Sequence, residues 1–284
     1  MKISCLGPSG SFTEMAAINY ISQSSLEYDI ILYPNIMKAF EAVGVEADAG
    51  IIPIENMVEG FIPLSLDLLA DTKLKIIDEI MIPVKFSFAA NCKSLNDLKK
   101  VYVQFAAHGQ CRKFFSTLKD DVQIITTDSN SSSYDEVCTG KEGEAAVIPY
   151  HMLSFKSFDL SIEDITDNEK NRTRFIVLAD KPEELLTGRR EKTTIIITEA
   201  EDKPGSLYNI LGSFHRRNLN LSSIISRPNK IDFGKYFFFM DIDAPYPDNI
   251  DLANAVEEIA DRNKVKVLGS YPASRILTNF HSRS

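Results

Sequence analysis

Asn171-Arg172-Thr173-Arg174-Phe175-Ile176-Val177-Leu178 decides how this chain folds. The apolar, partly β-branched run after Arg174 predicts a buried strand. Alternation sends Thr173, Phe175 and Val177 to one face and Arg174, Ile176 and Leu178 to the other. Where that strand enters the core, a carboxamide, a hydroxyl and two guanidinium groups gather. A hydroxyl both gives and accepts a proton, and an arginine fork holds a carboxylate through two parallel hydrogen bonds. That chemistry suits a small dianionic acid. The structural alternative is a surface strand with a solvated Arg174.

Upstream, the order of elements makes this strand a return. A strand over 2–6 runs into the turn Gly7-Pro8-Ser9-Gly10 and a helix opened by Ser11-Phe12-Thr13-Glu14, which has capping-box spacing. Such a turn points backbone N–H groups at an anion. A strand over 29–33, a helix over 36–43 and a strand over 49–53 complete a parallel unit, whose ligands collect at the carboxyl ends of its strands. Glu55 and Asn56 fall there, in a polar loop before a helix with Pro63 near its start.

The extended stretch 75–90, interrupted by Pro83, crosses into a second α/β unit. Its strands are expected over 100–103, 122–126 and 145–148, with helices over 110–118 and 131–138. Gln110 opens the first helix. Ser131, Ser132 and Ser133 open the second, as caps or as hydroxyls for a ligand carboxylate. The chain returns through 162–167 to the strand of Thr173, so two α/β lobes enclose a cleft with Thr173 at its hinge.

A charged, turn-rich linker covers 181–192, and the pattern then changes. Strands over 193–198, 218–225, 235–242 and 264–269, with helices over 204–214 and 252–260, spell βαββαβ, a ferredoxin-like sandwich. Helices cover one face of its sheet. Nothing evident covers the other, so pairing through this domain is expected.

Composition narrows the function classes. The chain has 284 residues, 44% hydrophobic and 25% charged, with a formal net charge of −9. There is no Lys/Arg block to track phosphates, so nucleic acid is not an expected partner. Cys5, Cys92, Cys111 and Cys138 lack CxxC spacing, and His108, His151, His215 and His281 do not cluster, so neither a disulfide framework nor a metal site is expected. The apolar stretch 3–6 is cut off at Gly7-Pro8, and no later run approaches a membrane span, so a cytoplasmic protein is expected.

Together these motifs resemble the prephenate dehydratase family over nearly the whole chain. Gly7-Pro8-Ser9-Gly10-Ser11-Phe12 is similar to its GPxGT[FY] opening, with Ser11 for Thr. The 52–60 loop is similar to [VI]PIENxxxG, and Asn171–Phe175 matches NxTRF. The SHPQALAQC motif is reduced to Ala107, Gln110 and Cys111 within 103–111, its Ser and His falling on Val103 and Gln104. The resemblance implies a two-lobed, periplasmic-binding-protein-like α/β catalytic domain over 1–180, with lobe one at about 1–75 and 163–180 and lobe two at about 76–162. A ferredoxin-like ACT regulatory domain follows over 193–272. It implies decarboxylating dehydration of prephenate to phenylpyruvate, without metal or organic cofactor, with arogenate as the alternative substrate and a weakly catalytic aromatic amino-acid sensor as the alternative function. Thr173 is then the catalytic donor, Glu55 the alternative acid. Ser11, Glu55, Asn56, Gln110, Asn171, Arg174 and Phe175 are the substrate positioners. Phenylalanine is the implied effector, bound by Gly205, Ser206, Leu207, Asn220, Leu221, Ser226, Arg227 and Pro228 in a homodimer or homotetramer. Ile225 stands where the family's ESRP motif has Glu.

Overall fold

In the computed structural model, which describes residues 1–186, 188–198, 203–229 and 236–274, three sheets divide the chain. The first is built from β1 (Lys2–Leu6), helix α1 (Phe12–Gln23), β2 (Asp29–Tyr33), α2 (Ile36–Glu41), β3 (Ala49–Asn56), the short β4 (Gly60–Phe61), α3 (Pro63–Asp71) and β5 (Lys75–Pro83). The second comprises β6 (Phe86–Ala90), β7 (Lys100–Gln104), α4 (Phe105–Gln110), α5 (Arg112–Phe115), β8 (Gln123–Thr127), α6 (Asn130–Thr139), β9 (Glu144–Pro149) and β10 (Leu160–Ile162). The chain then returns as β11 (Arg172–Ala179), which inserts between β3 and β5 in the order β2-β1-β3-β11-β5. β1 pairs parallel with β2 and β3, whereas β11 is antiparallel to both neighbours. The second sheet runs β10-β6-β9-β7-β8. Because β5 pairs with β11, the crossing to the second lobe falls after Pro83, later than the expected 76.

After α7 (Pro182–Leu185) come β12 (Lys192–Ile197), α8 (Ser206–His215), β13 (Leu221–Pro228), β14 (Tyr236–Ile242), α9 (Ile250–Ala260) and β15 (Val265–Tyr271), in the expected βαββαβ order. They form the antiparallel sheet β13-β14-β12-β15. The expected strand start at 235 lies outside the described residues. The helix expected over 110–118 is instead α4 and α5, separated at Cys111. The Gln104 side chain accepts the N–H groups of Ala106 and Ala107, starting α4 early, and Asp167 accepts those of Arg112 and Lys113, starting α5.

The first sheet is apolar on both faces, as a sheet covered on both sides must be. Phe175, Val177 and Ala179 pack toward α1 with Ile3, Cys5 and Met15. Ile176 and Leu178, on the other face, pack with Ile52, Ile54, Leu66 and Ile76, and this cluster also holds Ile196, Phe237, Phe239, Leu268 and Tyr271 of the C-terminal sheet. The first lobe itself therefore covers the face that was expected to be free for pairing. Each Val, Leu, Ile, Phe or Met among them contributes about 1.5–3 kcal/mol on burial. Polar latches frame the contact. Arg227 forks onto Asp67 of α3 at 2.9–3.2 Å. Lys75 Nζ donates to the Val267 carbonyl at 2.6 Å. Lys266 Nζ reaches the carbonyls of Leu69, Ala70 and Thr72 at the C-terminus of α3, where a cation is favoured.

At Gly269 the two layers approach backbone to backbone. A Cβ there would lie 2.0 Å from the Ile76 carbonyl oxygen, so any side chain must separate two backbones. Gly269→Ala is expected to cost about 1–3 kcal/mol, the usual price of overpacking. Calorimetry should show a melting point several degrees lower, and trypsin should cut faster at Arg189 and Arg190. Unchanged melting and proteolysis would show that the sheets do not touch in solution.

Candidate active site

β3 and β11 pair so that Asn56 lies opposite Thr173. The Asn56 amide donates to Thr173 Oγ1 at 2.9 Å and to the Arg172 carbonyl at 3.3 Å. Its carbonyl oxygen accepts the N–H groups of Val58 and Glu59 at 2.9 and 3.0 Å. The carboxamide thus closes its own loop and aims its NH2 at the threonine oxygen. With that lone pair engaged, the hydroxyl proton is the group left to give, and among the described residues no acceptor takes it. Thr173 is 8% exposed, two residues before Phe175 of the core.

Two residues earlier, on the same face, Asn171 is 1% exposed and donates to Gln110 Oε1 at 2.8 Å. Its side-chain oxygen Oδ1 is buried without a partner among the described residues. Gln110, on the second lobe, also reaches Glu59 at 3.4 Å. Asn56, Thr173, Asn171 and Gln110 are therefore brought together, with Glu59 as an addition the sequence reading passed over. Glu59 lies in the same loop as Asn56, and only the lobe-to-lobe contact reveals it.

The glycine turn follows β1, the neighbour of β3 in the same sheet. Gly10 has a φ of +81°, which glycine adopts without strain. The Glu14 carboxylate takes the Gly10 N–H at 2.5 Å and the Ser9 hydroxyl at 2.9 Å. The anion expected at this turn is supplied by the chain itself. Ser11 donates to the Leu6 carbonyl at 3.0 Å and accepts the Glu14 N–H at 3.1 Å, so the one proton of the hydroxyl expected to hold substrate is engaged within the chain. Two contacts tie this turn to the second lobe. Ser131 Oγ donates to the Ser9 carbonyl at 2.7 Å, and His151 Nε2 meets the Gly10 carbonyl at 3.1 Å. A carbonyl only accepts, so Nε2 carries the proton and Nδ1 is a buried acceptor without a partner. Burial lowers the His151 pKa. No sequence pattern marks His151; its position against Phe12 does.

Arg174, Glu55 and Phe175 do not line this cleft, contrary to expectation. Alternation turns Arg174 to the far side, where its guanidinium is 7% exposed. Nε donates to Glu79 at 2.7 Å, Nη1 to Asp241 at 2.6 Å and Nη2 to the Tyr271 hydroxyl at 3.3 Å. Glu55, paired opposite it, lies 3.9 Å from Nη1 on the same side. Burial raises the Glu55 pKa and Arg174 opposes that shift. Phe175 is 1% exposed within the core. For Glu79, burial would raise the pKa, but Arg174 and Lys192 outweigh it and hold the carboxyl below its ordinary value.

The expected effector residues separate into three places. Gly205, with a φ of +86°, precedes α8, where Ser206 begins the helix and Leu207 is exposed. β12 and β13 run the same way, both antiparallel to β14, so Asn220 and Leu221 at the start of β13 lie at the other end of the sheet. Asn220 donates to Asp243 at 2.5 Å. Ser226 and Pro228 close β13, and Arg227 between them is spent on Asp67 rather than left for an effector.

A family model described as prephenate dehydratase matches residues 3–183. The chain is 30% identical over 278 residues to the bifunctional chorismate mutase/prephenate dehydratase of Aquifex aeolicus, covering 96% of this chain and 74% of that protein. It is 30% identical over 292 residues to the prephenate dehydratase of Bacillus subtilis, covering 97% and 100%. A crystal structure of prephenate dehydratase from Arthrobacter aurescens in complex with L-Phe superposes with a TM-score of 0.82 at 31% identity, covering 96% and 90%.

Gln110→Ala tests the lobe contact. It strips the buried Asn171 amide of its side-chain partner among the described residues, which should cost about 1–3 kcal/mol. Thermal melting should register the loss. A melting point matching the parent would mean that the lobes stand apart at Gln110.

Proposed function

This chain belongs to the prephenate dehydratase family, and on that premise we propose that the Thr173 hydroxyl is the proton donor of a decarboxylating lyase. In this reaction the bond from the ring to its carboxylate breaks and releases carbon dioxide. The electron pair moves into the ring and expels the hydroxyl, which leaves as water after taking up one proton. Aromatisation drives the process, so the protein supplies orientation and that proton. The carrying observation is the 2.9 Å hydrogen bond from Asn56 to Thr173 Oγ1. It turns the hydroxyl proton outward and stabilises the oxygen as charge develops on it. Asn171 and Gln110 offer amide N–H groups to substrate carboxylates once their mutual bond opens. Glu55, turned toward Arg174, is not in place to act as the acid.

The βαββαβ domain is, in our reading, an ACT domain that senses phenylalanine, the amino acid present in the Arthrobacter structure. β13 is an edge strand with unpaired backbone groups. Antiparallel pairing of two such edges brings residues 205–207 of one copy beside 220–221 of another, which a single chain holds apart. That arrangement calls for at least a dimer. Among the described residues no helix is long and apolar enough to cross a membrane, and we place the enzyme in the cytoplasm.

Thr173→Ala should lower kcat by roughly a hundredfold or more with little change in KM, while Thr173→Ser retains most activity. Parental kcat in a folded Thr173→Ala protein overturns the assignment. Assays with prephenate and arogenate in parallel fix the substrate.

Leu207 is 38% exposed, so Leu207→Glu should fold normally. It should raise the phenylalanine concentration needed for inhibition by about tenfold or more while leaving basal kcat unchanged. Undiminished inhibition would place phenylalanine elsewhere.

A further inference from the structure

Thr173 and Arg174 are consecutive on β11, so whatever holds the guanidinium holds the backbone that carries the hydroxyl. Of the groups on that guanidinium, Glu79 belongs to the first lobe, and Asp241 and Tyr271 to the C-terminal domain. Thr194 of β12 binds both of the latter, at 2.6 and 2.5 Å. Lys192, also on β12, takes the second Glu79 oxygen at 2.7 Å. One further acceptor stands nearby. Glu55 Oε2 is 3.9 Å from the same Nη1 that Asp241 holds, and its side chain is 35% exposed against 1% for Asp241. Glu55 immediately precedes Asn56, and the register of β3 on β11 slips between Arg174 and Phe175. A change of partner at Nη1 therefore acts where that pairing is irregular.

We propose that Arg174 is a positioning residue through which the C-terminal domain sets the Asn56–Thr173 pair, its Nη1 held by Asp241 in the competent arrangement and passing to Glu55 when that domain shifts. The positioning role stands without an effector; only the cause of the shift rests on the regulatory reading above. Withdrawal of Asp241 leaves a buried guanidinium N–H without an acceptor, which is costly, and Glu55 is the carboxylate in reach. Closing the 3.9 Å gap draws β3 away from the cleft at the residue before Asn56. The Asn56 amide then leaves its line with Thr173 Oγ1. Each arrangement gives Nη1 one carboxylate, so the element has two states rather than a continuum.

The test uses full-length Asp241→Asn, the double variant Asp241→Asn with Glu55→Gln, and Tyr271→Phe, which keeps its ring in the core. Prephenate kinetics are measured without effector, and L-phenylalanine binding is measured by calorimetry on the same preparations. Asp241→Asn should lose about tenfold in kcat with KM within about twofold of the parent. The double variant should recover most of that loss, because a neutral Gln competes poorly for Nη1. Tyr271→Phe should lose a few fold. A folded Asp241→Asn with parental kcat, or a double variant no better than the single, overturns the proposal. If Asp241→Asn does not fold, parental kcat in Tyr271→Phe overturns it instead. Failure of the parent to bind phenylalanine removes the regulatory reading alone, since the kcat pattern is read without effector.

Discussion

The buried ion cluster around Arg174 constrains the rest of the molecule. Arg174 and Lys192 balance Glu79 and Asp241, and the Glu79 and Asp241 side chains are each 1% exposed. Withdrawing such ions from water costs several kcal/mol each, so the cluster is a poor source of net stability. Breaking it by removing one member is expensive, because a charge is then left without a partner. Its effect is registration. The apolar contact between the first sheet and the C-terminal sheet tolerates sliding, but a guanidinium that must meet Glu79, Asp241 and Tyr271 at once does not.

That registration matters because the first sheet serves two surfaces. One face of β11 presents Thr173 to the cleft, and the other presents Arg174, Ile176 and Leu178 to the docked domain. A sheet strand cannot shift one face without the other. The C-terminal domain is thus a wall of the first lobe and not an appendage on a linker. Removing it would strip Ile196, Phe237, Phe239, Leu268 and Tyr271 from the cluster that α2 and α3 share, and leave Arg174 without Asp241 and Tyr271.

Much of this was legible in the sequence, for local reasons. The strand over 2–6, the Ser11 cap, the βαββαβ order and the alternation of β11 all follow from periodicity and turn chemistry. The errors arose where one local fact carried a second consequence. Alternation already separated Thr173 from Arg174, yet their adjacency in sequence suggested a common site. A serine at a helix cap has one proton to give: Ser11 accepts the cap N–H of Glu14 and gives its proton to the Leu6 carbonyl of β1. Asp241 lies 67 residues from Arg174, and no spacing rule reaches that far. The uncovered sheet face looked free because the apolar second face of β3 and β11 had no assigned partner. The two unassigned faces were each other's cover.

The cleft and the docked domain therefore both bear on β11. Ser131 and His151 pull the second lobe onto the Gly10 turn, and Gln110 pulls it onto Asn171, just ahead of β11. Asp241, Lys192 and Tyr271 hold the far face. Interiors packed this closely move between discrete arrangements and do not deform smoothly. A threonine hydroxyl is a weak acid and works only if its oxygen is held in line with the departing group. On the proposed assignment of Thr173 as donor, the weakest chemical element sits on a strand fixed from behind by Arg174, and a small shift of that strand is expected to misalign it.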